Sequence, residues 1–281
     1  MFIQRVLKTA KLKGQTGSLS RRGQVADKLC AKFSAMMNDT FELKEKAGQK
    51  AVVTKEEIEG FFKKLAPNVE LDVIDADYSA LGYKLSKDGD KKSIKGYCLK
   101  LPFSRWGGGI DKNNHENILS LDHEKRHFFT HITEPKYTAN KLAKKLTPED
   151  NKLAWNFYEK ILYKEEFTFP NGSILKEAKA TRRNFVKEKI GQFFKANPFP
   201  SDQKIEILKK WRYNLKDESK AFDSSLSSYW KNQSTSGKQE SFIPKGFVEN
   251  NLFFPEKIKI VEKMLAAEIA KVRATQKKLF S

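Results

Sequence analysis

The sequence predicts an α+β fold, in which a small N-terminal antiparallel or mixed sheet precedes a histidine-bearing helix and a mostly helical C-terminal half. Three observations support this fold class. Short runs between residues 69 and 101 alternate apolar and polar side chains, as half-buried strands do. From His115 onward, apolar residues recur at helical spacing instead. Helix start signals continue through this second part, as where Thr147 precedes Pro148 and two acidic residues.

The first predicted elements along the chain are one helix and three strands. Thr54 and Glu57 form a capping box, and apolar residues follow them at helical spacing. Three runs alternate strictly and predict strands: residues 69–73, 82–85 and 97–101. The Asp-Gly-Asp run at residues 88–90 lies between the last two strands and predicts a hairpin turn.

Helices are predicted for most of the remaining chain. The histidine helix begins after Asn113 and Asn114, and further helices are predicted at residues 148–166, 174–195, 202–216 and 255–279. The polar stretch 232–241 predicts a linker or flexible loop. We therefore expect three regions: a partly flexible basic segment (1–50), a core with the sheet, the histidine helix and the next helix (51–170), and a basic helical region (171–281).

The composition is strongly basic, with 54 Lys and Arg against 35 Asp and Glu and a formal net charge of +19. This excess predicts attraction for an anionic partner, such as nucleic acid, an acidic lipid surface or an acidic protein, although a lysine-rich proteome produces the same balance. The two cysteines predict reduced thiols and a reducing, cytoplasm-like compartment. No apolar run is long enough to predict a transmembrane segment. The acid-free residues 1–26 are typical either of a targeting or secretion segment or of an ordinary basic arm.

All four histidines of the chain lie between residues 115 and 131. On a helical projection of this segment, His123 and His127 lie opposite an apolar face, and Glu124 lies at the edge of the histidine face. That apolar face consists of Ile118, Leu121, Phe128, Phe129 and Ile132. Two imidazoles one turn apart can converge on one metal ion, and Glu124 can then reach a water on that ion. Lys125 projects onto the apolar face, where it must snorkel or pair.

These residue types suit metal-assisted hydrolysis. Neutral imidazoles leave zinc enough positive charge to bring the pKa of a coordinated water to about 7. Glu124 is the predicted catalytic base, which takes a proton from the attacking water and returns it to the leaving amine. A catalytic zinc site needs a third protein ligand and one open position, so another residue must join His123 and His127.

The run from His123 to His127 is an HExxH motif, and with it the chain resembles the zincin superfamily of zinc metallopeptidases. In that superfamily the HExxH helix follows a small sheet, as predicted here. The charged Lys125 and Arg126 between the histidines depart from the usual pattern, as does Asp122 before them. The resemblance implies a Zn²⁺-dependent endopeptidase that acts on a protein substrate. The small lysine-rich chain is also similar in type to zincin toxins and effectors that bacteria inject into host cells.

Several residues are candidates for the third zinc ligand. His131 lies about 12 Å along a straight helix from His123, and the helix break of metzincins is absent. Gluzincins draw a glutamate from a following helix, and this resemblance favours Glu159 on the polar face of the 148–166 helix. The alternatives are His131, Glu134, Glu165 and Glu166. The candidates for stabilising an oxyanion are Tyr163, Tyr158 and Tyr137.

A second hypothesis is a basic helical protein that binds nucleic acid or anionic lipid without catalysis. It depends on aromatic residues among basic ones, in residues 182–185 and 209–213. The alternative interpretation is that Phe185 and Trp211 are core positions of amphipathic helices. We favour this alternative because helical spacing alone produces such patches.

Overall fold

A computed structural model describes residues 21–88, 91–134, 146–163, 177–236 and 245–279, and the structural statements below refer to these residues. The helices are α1 Arg21–Lys46, α2 Lys55–Leu65, α3 His115–Thr133, α4 Pro148–Phe157, α5 Glu177–Ala196, α6 Ser201–Ser236 and α7 Lys245–Leu279. A π-helical segment, Tyr158–Tyr163, continues α4. The strands are β1 Val52–Thr54, β2 Glu70–Asp75, β3 Ala80–Asp88, β4 Lys91–Leu101 and β5 Gly109–Asp111.

The strands form two small sheets. One has the order β2-β4-β3, with β2 parallel and β3 antiparallel to β4, and the other pairs β1 with β5. Asp88 pairs with Lys91, which confirms the predicted hairpin, although its connection at residues 89–90 lies outside the described residues. The predicted α+β class, with a small N-terminal sheet and a mostly helical remainder, is confirmed.

A first hydrophobic core joins α1, α2 and the sheets to one face of α3. The capping box starts α2 as predicted, since Thr54 Oγ1 accepts from the Glu57 amide and Glu57 Oε2 accepts from the Thr54 amide. Phe62 of α2 then packs against Phe33 of α1, with ring centroids 4.6 Å apart. Within the region 1–50, residues 21–46 are thus a helix with a buried face, while residues 1–20 lie outside the described residues.

A second core gathers α4, the π-helical segment, α5, α6 and α7. Trp211 is buried there and its Nε1 donates to the Ala154 carbonyl at 3.0 Å, and Phe185 is partly buried in the same core. Both residues therefore belong to the core-facing sides of amphipathic helices, as the alternative interpretation predicted. None of the described helices has the length and apolar character needed to cross a membrane.

Two helices are longer than the sequence predicts. Helix α6 continues past residue 216 to Ser236, because buried positions such as Ala221, Phe222 and Ser225 continue its inner face. Residues 232–236 of the predicted loop therefore belong to α6, and residues 237–244 lie outside the described residues. Helix α7 begins at Lys245 and passes through Pro255. Helix α3 lies between the two cores, with one face on the first core and the other along α6.

Candidate metal centre

The two charged residues between the histidines both contact α1. Lys125 is 1% exposed, and its ammonium donates to Ser34 Oγ at 2.8 Å and pairs with Asp122. Arg126 pairs with Asp27 in the same region. Of the two predicted outcomes for Lys125, snorkelling or pairing, the structure shows pairing. Because Lys125 and Arg126 both point away from the histidines, the histidine face of α3 carries no lysine or arginine.

We expect Asp122→Ala to destabilise the fold by roughly 3–5 kcal/mol, because it leaves the buried Lys125 ammonium without its counter-charge. Urea unfolding would measure this, with the exposed Asp39→Asn as a control that changes little. The double variant Asp122→Ala/Lys125→Met should recover most of the loss. A loss below about 1 kcal/mol in the single variant would contradict the role of this pair.

The two histidines lie opposite the apolar side of α3, as predicted, and they face α6. Their Nε2 atoms lie 3.1 Å apart, and the rings meet edge to face with centroids 4.7 Å apart. Phe222 of α6 packs on the His123 ring at 4.5 Å. On the other side of α3, Phe128 and Phe129 contact Phe62 in the first core. The helix therefore buries the histidines and the phenylalanines against different partners.

Glu218 of α6 completes a triangle with these histidines. Its Oε2 lies 3.2 Å from His123 Nε2 and 3.4 Å from His127 Nε2. Ligand atoms about 2.0–2.1 Å from a tetrahedral ion are separated by about 3.3 Å, a value set by the geometry of the tetrahedron. The three separations of 3.1, 3.2 and 3.4 Å fit such an ion.

Asp217, the neighbour of Glu218, forms a second group with His127 and His131 that could hold a metal ion. Its Oδ2 lies 3.0 Å from His127 Nδ1 and 2.6 Å from His131 Nε2. All three side chains are buried. His127 belongs to both groups, one through each ring nitrogen.

The structure does not bring the favoured third ligand, Glu159, into either group. Glu134 is buried and pairs with Lys220 at 2.9 Å, while Glu165, Glu166 and Tyr137 lie outside the described residues. Of the two predicted alternatives that the structure describes, His131 and Glu134, His131 is found in a group, the one with Asp217. The carboxylate that meets both His123 and His127 is Glu218, which the sequence analysis missed.

A signal for Glu218 was nevertheless present in the sequence. On α6 it shares a helical stripe with buried apolar residues at intervals of three and four: Leu208, Trp211, Leu215 and Phe222. A carboxylate on such a stripe is buried when the helix packs, so it needs a partner. That position distinguishes Glu218 from acids on solvent-facing surfaces.

The carboxylates and imidazoles of this group shift one another's pKa values. Burial raises the pKa of Glu218, but His127 and His123 outweigh it and lower this pKa to about 2. Burial lowers the pKa of His127, but the carboxylates of Asp217 and Glu218 outweigh it and hold this pKa well above its ordinary value. These carboxylates and imidazoles therefore form a largely buried cluster of ion pairs.

Glu124 has a different environment. Burial raises its pKa, and the neighbouring His123 and His127 only partly oppose that shift. Within the described part of the chain, no hydrogen bond or ion pair involves its carboxylate. Glu124 is thus a carboxylate beside the metal-binding group with a raised pKa, which suits a general base at neutral pH.

Two of the predicted tyrosines lie near the same group. Tyr158 is buried, and its hydroxyl has no hydrogen-bond partner within the described part of the chain. Burial raises the pKa of Tyr158 well above its ordinary value, and the Glu218 carboxylate adds to the shift. For Tyr163, burial and then Glu218 and Glu124 act in the same direction on the pKa. Both phenols remain protonated and able to donate.

We expect the metal-free protein to lose stability as the pH falls from about 4.5 to about 2. The pKa of Glu218 is lower in the folded state, so its contribution is present above the unfolded value and is lost as pH falls through the folded value. The maximum for this one group is roughly 3 kcal/mol. Urea unfolding in a chelator at pH 7, 4 and 3 measures it, and Glu218→Gln should have the shallower acid dependence. Equal dependence in both proteins would contradict the ion pairing.

Comparison of the chain with models of protein families, with curated protein sequences and with solved structures finds no match in any of the three. The geometry of the site is therefore what supports a functional class.

Proposed function

We propose that the protein is a zinc-dependent peptidase whose single catalytic ion is held by His123, His127 and Glu218. The observation that carries this proposal is the triangle of Nε2, Nε2 and Oε2 atoms, with separations of 3.1, 3.2 and 3.4 Å. The two histidines come from an HExxH helix, and Glu124 is the residue that this motif assigns to the base.

The donor set supports zinc as the ion. Two imidazoles and one carboxylate form the His₂Glu set of catalytic zinc sites, whereas magnesium and calcium sites are built from oxygen ligands. Among the described residues, no fourth ligand atom joins the three. This leaves the open coordination position that a catalytic site requires.

Zinc in such a site supplies a Lewis acid and lowers the pKa of a coordinated water to about 7. Glu124 then takes a proton from the attacking water, and it delivers that proton to the amine nitrogen as the peptide C–N bond breaks. Tyr158 and Tyr163 are the donors proposed to stabilise the negative charge that develops on the carbonyl oxygen. The Tyr158 hydroxyl has no hydrogen-bond partner among the described residues, which supports this role.

The proposed substrate is a protein, cleaved within its chain. The net charge of +19 favours substrates with acidic segments, since unlike charges raise the rate and strength of encounter. The same charge would support binding to nucleic acid or anionic lipid. Trp211, however, is buried and Phe185 is partly buried in the second core, which weakens that second hypothesis.

Elemental analysis of the purified protein tests the proposal. We expect one zinc ion per chain, loss of that zinc on dialysis against a chelator, and recovery when zinc is returned. A protein that holds no zinc after dialysis against micromolar zinc would sink the proposal.

A further inference from the structure

One carboxylate oxygen, Asp217 Oδ2, meets two histidine rings. It lies 3.0 Å from His127 Nδ1 and 2.6 Å from His131 Nε2. Because an ionised carboxylate only accepts hydrogen bonds, both of these ring nitrogens carry a proton. With the proton on Nδ1, a neutral His127 presents the lone pair of its Nε2, which is the atom that faces His123 and Glu218.

Tyr83 of β3 extends this contact by one more residue. Its hydroxyl lies 2.8 Å from His131 Nδ1, and the two rings stack with centroids 5.6 Å apart. Since Nε2 of His131 donates to Asp217, its Nδ1 accepts from the Tyr83 hydroxyl when the ring is neutral. Tyr83 thus donates a hydrogen bond to His131, and His131 donates one to Asp217 Oδ2. His127 donates to the same Asp217 oxygen.

The histidines and the aspartate of this hydrogen-bonded series are buried. His127, His131 and Asp217 are 6%, 2% and 3% exposed. Hydrogen bonds are stronger in such a low-dielectric interior, and competing water is excluded. These hydrogen bonds join β3 in the first core, α3 between the cores and α6 in the second core.

The same three buried residues form the second group that could hold a metal ion. The separation between His131 Nε2 and Asp217 Oδ2 is 2.6 Å, close to the lower limit of about 2.7 Å for a charge-assisted N–H···O hydrogen bond. Ligand atoms on one tetrahedral ion lie about 3.3 Å apart. The distances therefore favour hydrogen bonding in this group and metal binding in the triangle of His123, His127 and Glu218.

We propose that Tyr83 and His131 are positioning residues of the zinc site. They hold Asp217 against His127, so that the His127 ring keeps its proton on Nδ1 and directs the Nε2 lone pair at the ion. This inference rests on the proposed function, because it assigns a task at the same metal site. Neither residue touches the ion.

The zinc dissociation constant, measured by competition with a chromophoric chelator, tests the inference. We expect His131→Leu to weaken zinc binding by roughly 10-fold, the lower end of the loss for a direct outer partner of a zinc-bound histidine, because His131 acts on His127 through Asp217. Tyr83→Phe removes one neutral hydrogen bond and should weaken binding on the order of 3- to 10-fold. His131→Gln keeps an N–H donor and an acceptor, so it should recover part of the loss. Tyr97→Phe removes a neighbouring phenol of the same sheet and should bind zinc as the wild type does.

Nuclear magnetic resonance of the zinc-loaded protein separates positioning from a general loss of stability. The Nδ1 proton of His127 should be protected from exchange in the wild type and in Tyr97→Phe, and should exchange faster in His131→Leu. Unchanged zinc affinity in both His131→Leu and Tyr83→Phe would overturn this inference and leave the proposed function intact. Two zinc ions per chain would also overturn it, because His131 and Asp217 would then be ligands. A wild type that binds no zinc would overturn both.

Discussion

His127→Ala is expected to lower the zinc affinity by at least about 100-fold, since outer partners of a ligand alone contribute 10- to 100-fold. The variant removes one corner of the triangle and also the partner of two carboxylates, because His127 contacts both Glu218 and Asp217. Competition with a chelator measures the affinity, and elemental analysis measures the stoichiometry. Zinc retained at one ion per chain with wild-type affinity would contradict the site.

His115→Ala is the matched control, because His115 lies at the start of α3 and belongs to neither group. Loss of the buried charge partner destabilises the fold in His127→Ala, so an isosteric variant is needed beside it. Glu218→Gln serves that purpose, since it keeps the side-chain shape and removes the anionic ligand. Both variants should lose zinc, and circular dichroism should show that Glu218→Gln keeps the helical content of the wild type.

Glu124→Gln is expected to keep the fold and the zinc while peptide hydrolysis falls by roughly 100- to 10,000-fold, the usual contribution of a general base. The amide fills the same space at this buried position, and Glu124 holds no described ion pair that would be lost. A peptide library incubated with the zinc-loaded protein, with new termini identified by mass spectrometry, provides the assay. The change should appear in the rate and not in the zinc content.

Glu116→Gln is the control for this change, since Glu116 is an exposed glutamate on the first turn of the same helix. It should cleave at the wild-type rate. Cleavage at that rate by Glu124→Gln would remove Glu124 from the mechanism. Loss of zinc from the same variant would instead show that Glu124 is a zinc ligand, although the proposed ligand set of His123, His127 and Glu218 does not include it.

The sequence predicted the local half of the candidate site. His123, Glu124 and His127 lie within one helical turn and a half, so their shared face follows from helical geometry alone. The opposing face of Phe128 and Phe129 follows from the same periodicity. The capping box before α2 and the hairpin between β3 and β4 were predictable for the same reason, because each depends on residues close together in the chain.

The carboxylates of the candidate site could not be predicted from patterns of nearby residues. Glu159 was favoured from the order of elements in gluzincins, yet the helix that packs along the histidines is α6, which supplies Glu218 and Asp217. The predicted end of that helix at residue 216 was wrong. Asp217 and Glu218 interrupt the apolar pattern there, but the helix continues to Ser236. The apolar stripe of α6 indicated that Glu218 faces inward, but its contact with His123 and His127 became evident only from the packing of α3 against α6.

The sequence by itself determined the α+β class, the histidine helix and the face on which its histidines lie, because hydrophobic periodicity and capping act over a few residues. Only the tertiary structure decided which carboxylate meets the histidines and that Tyr83 reaches His131. These contacts join residues far apart in the chain, and they depend on how two cores pack on opposite faces of one helix. The HExxH motif thus predicts two corners of the candidate zinc site, and the fold supplies the third.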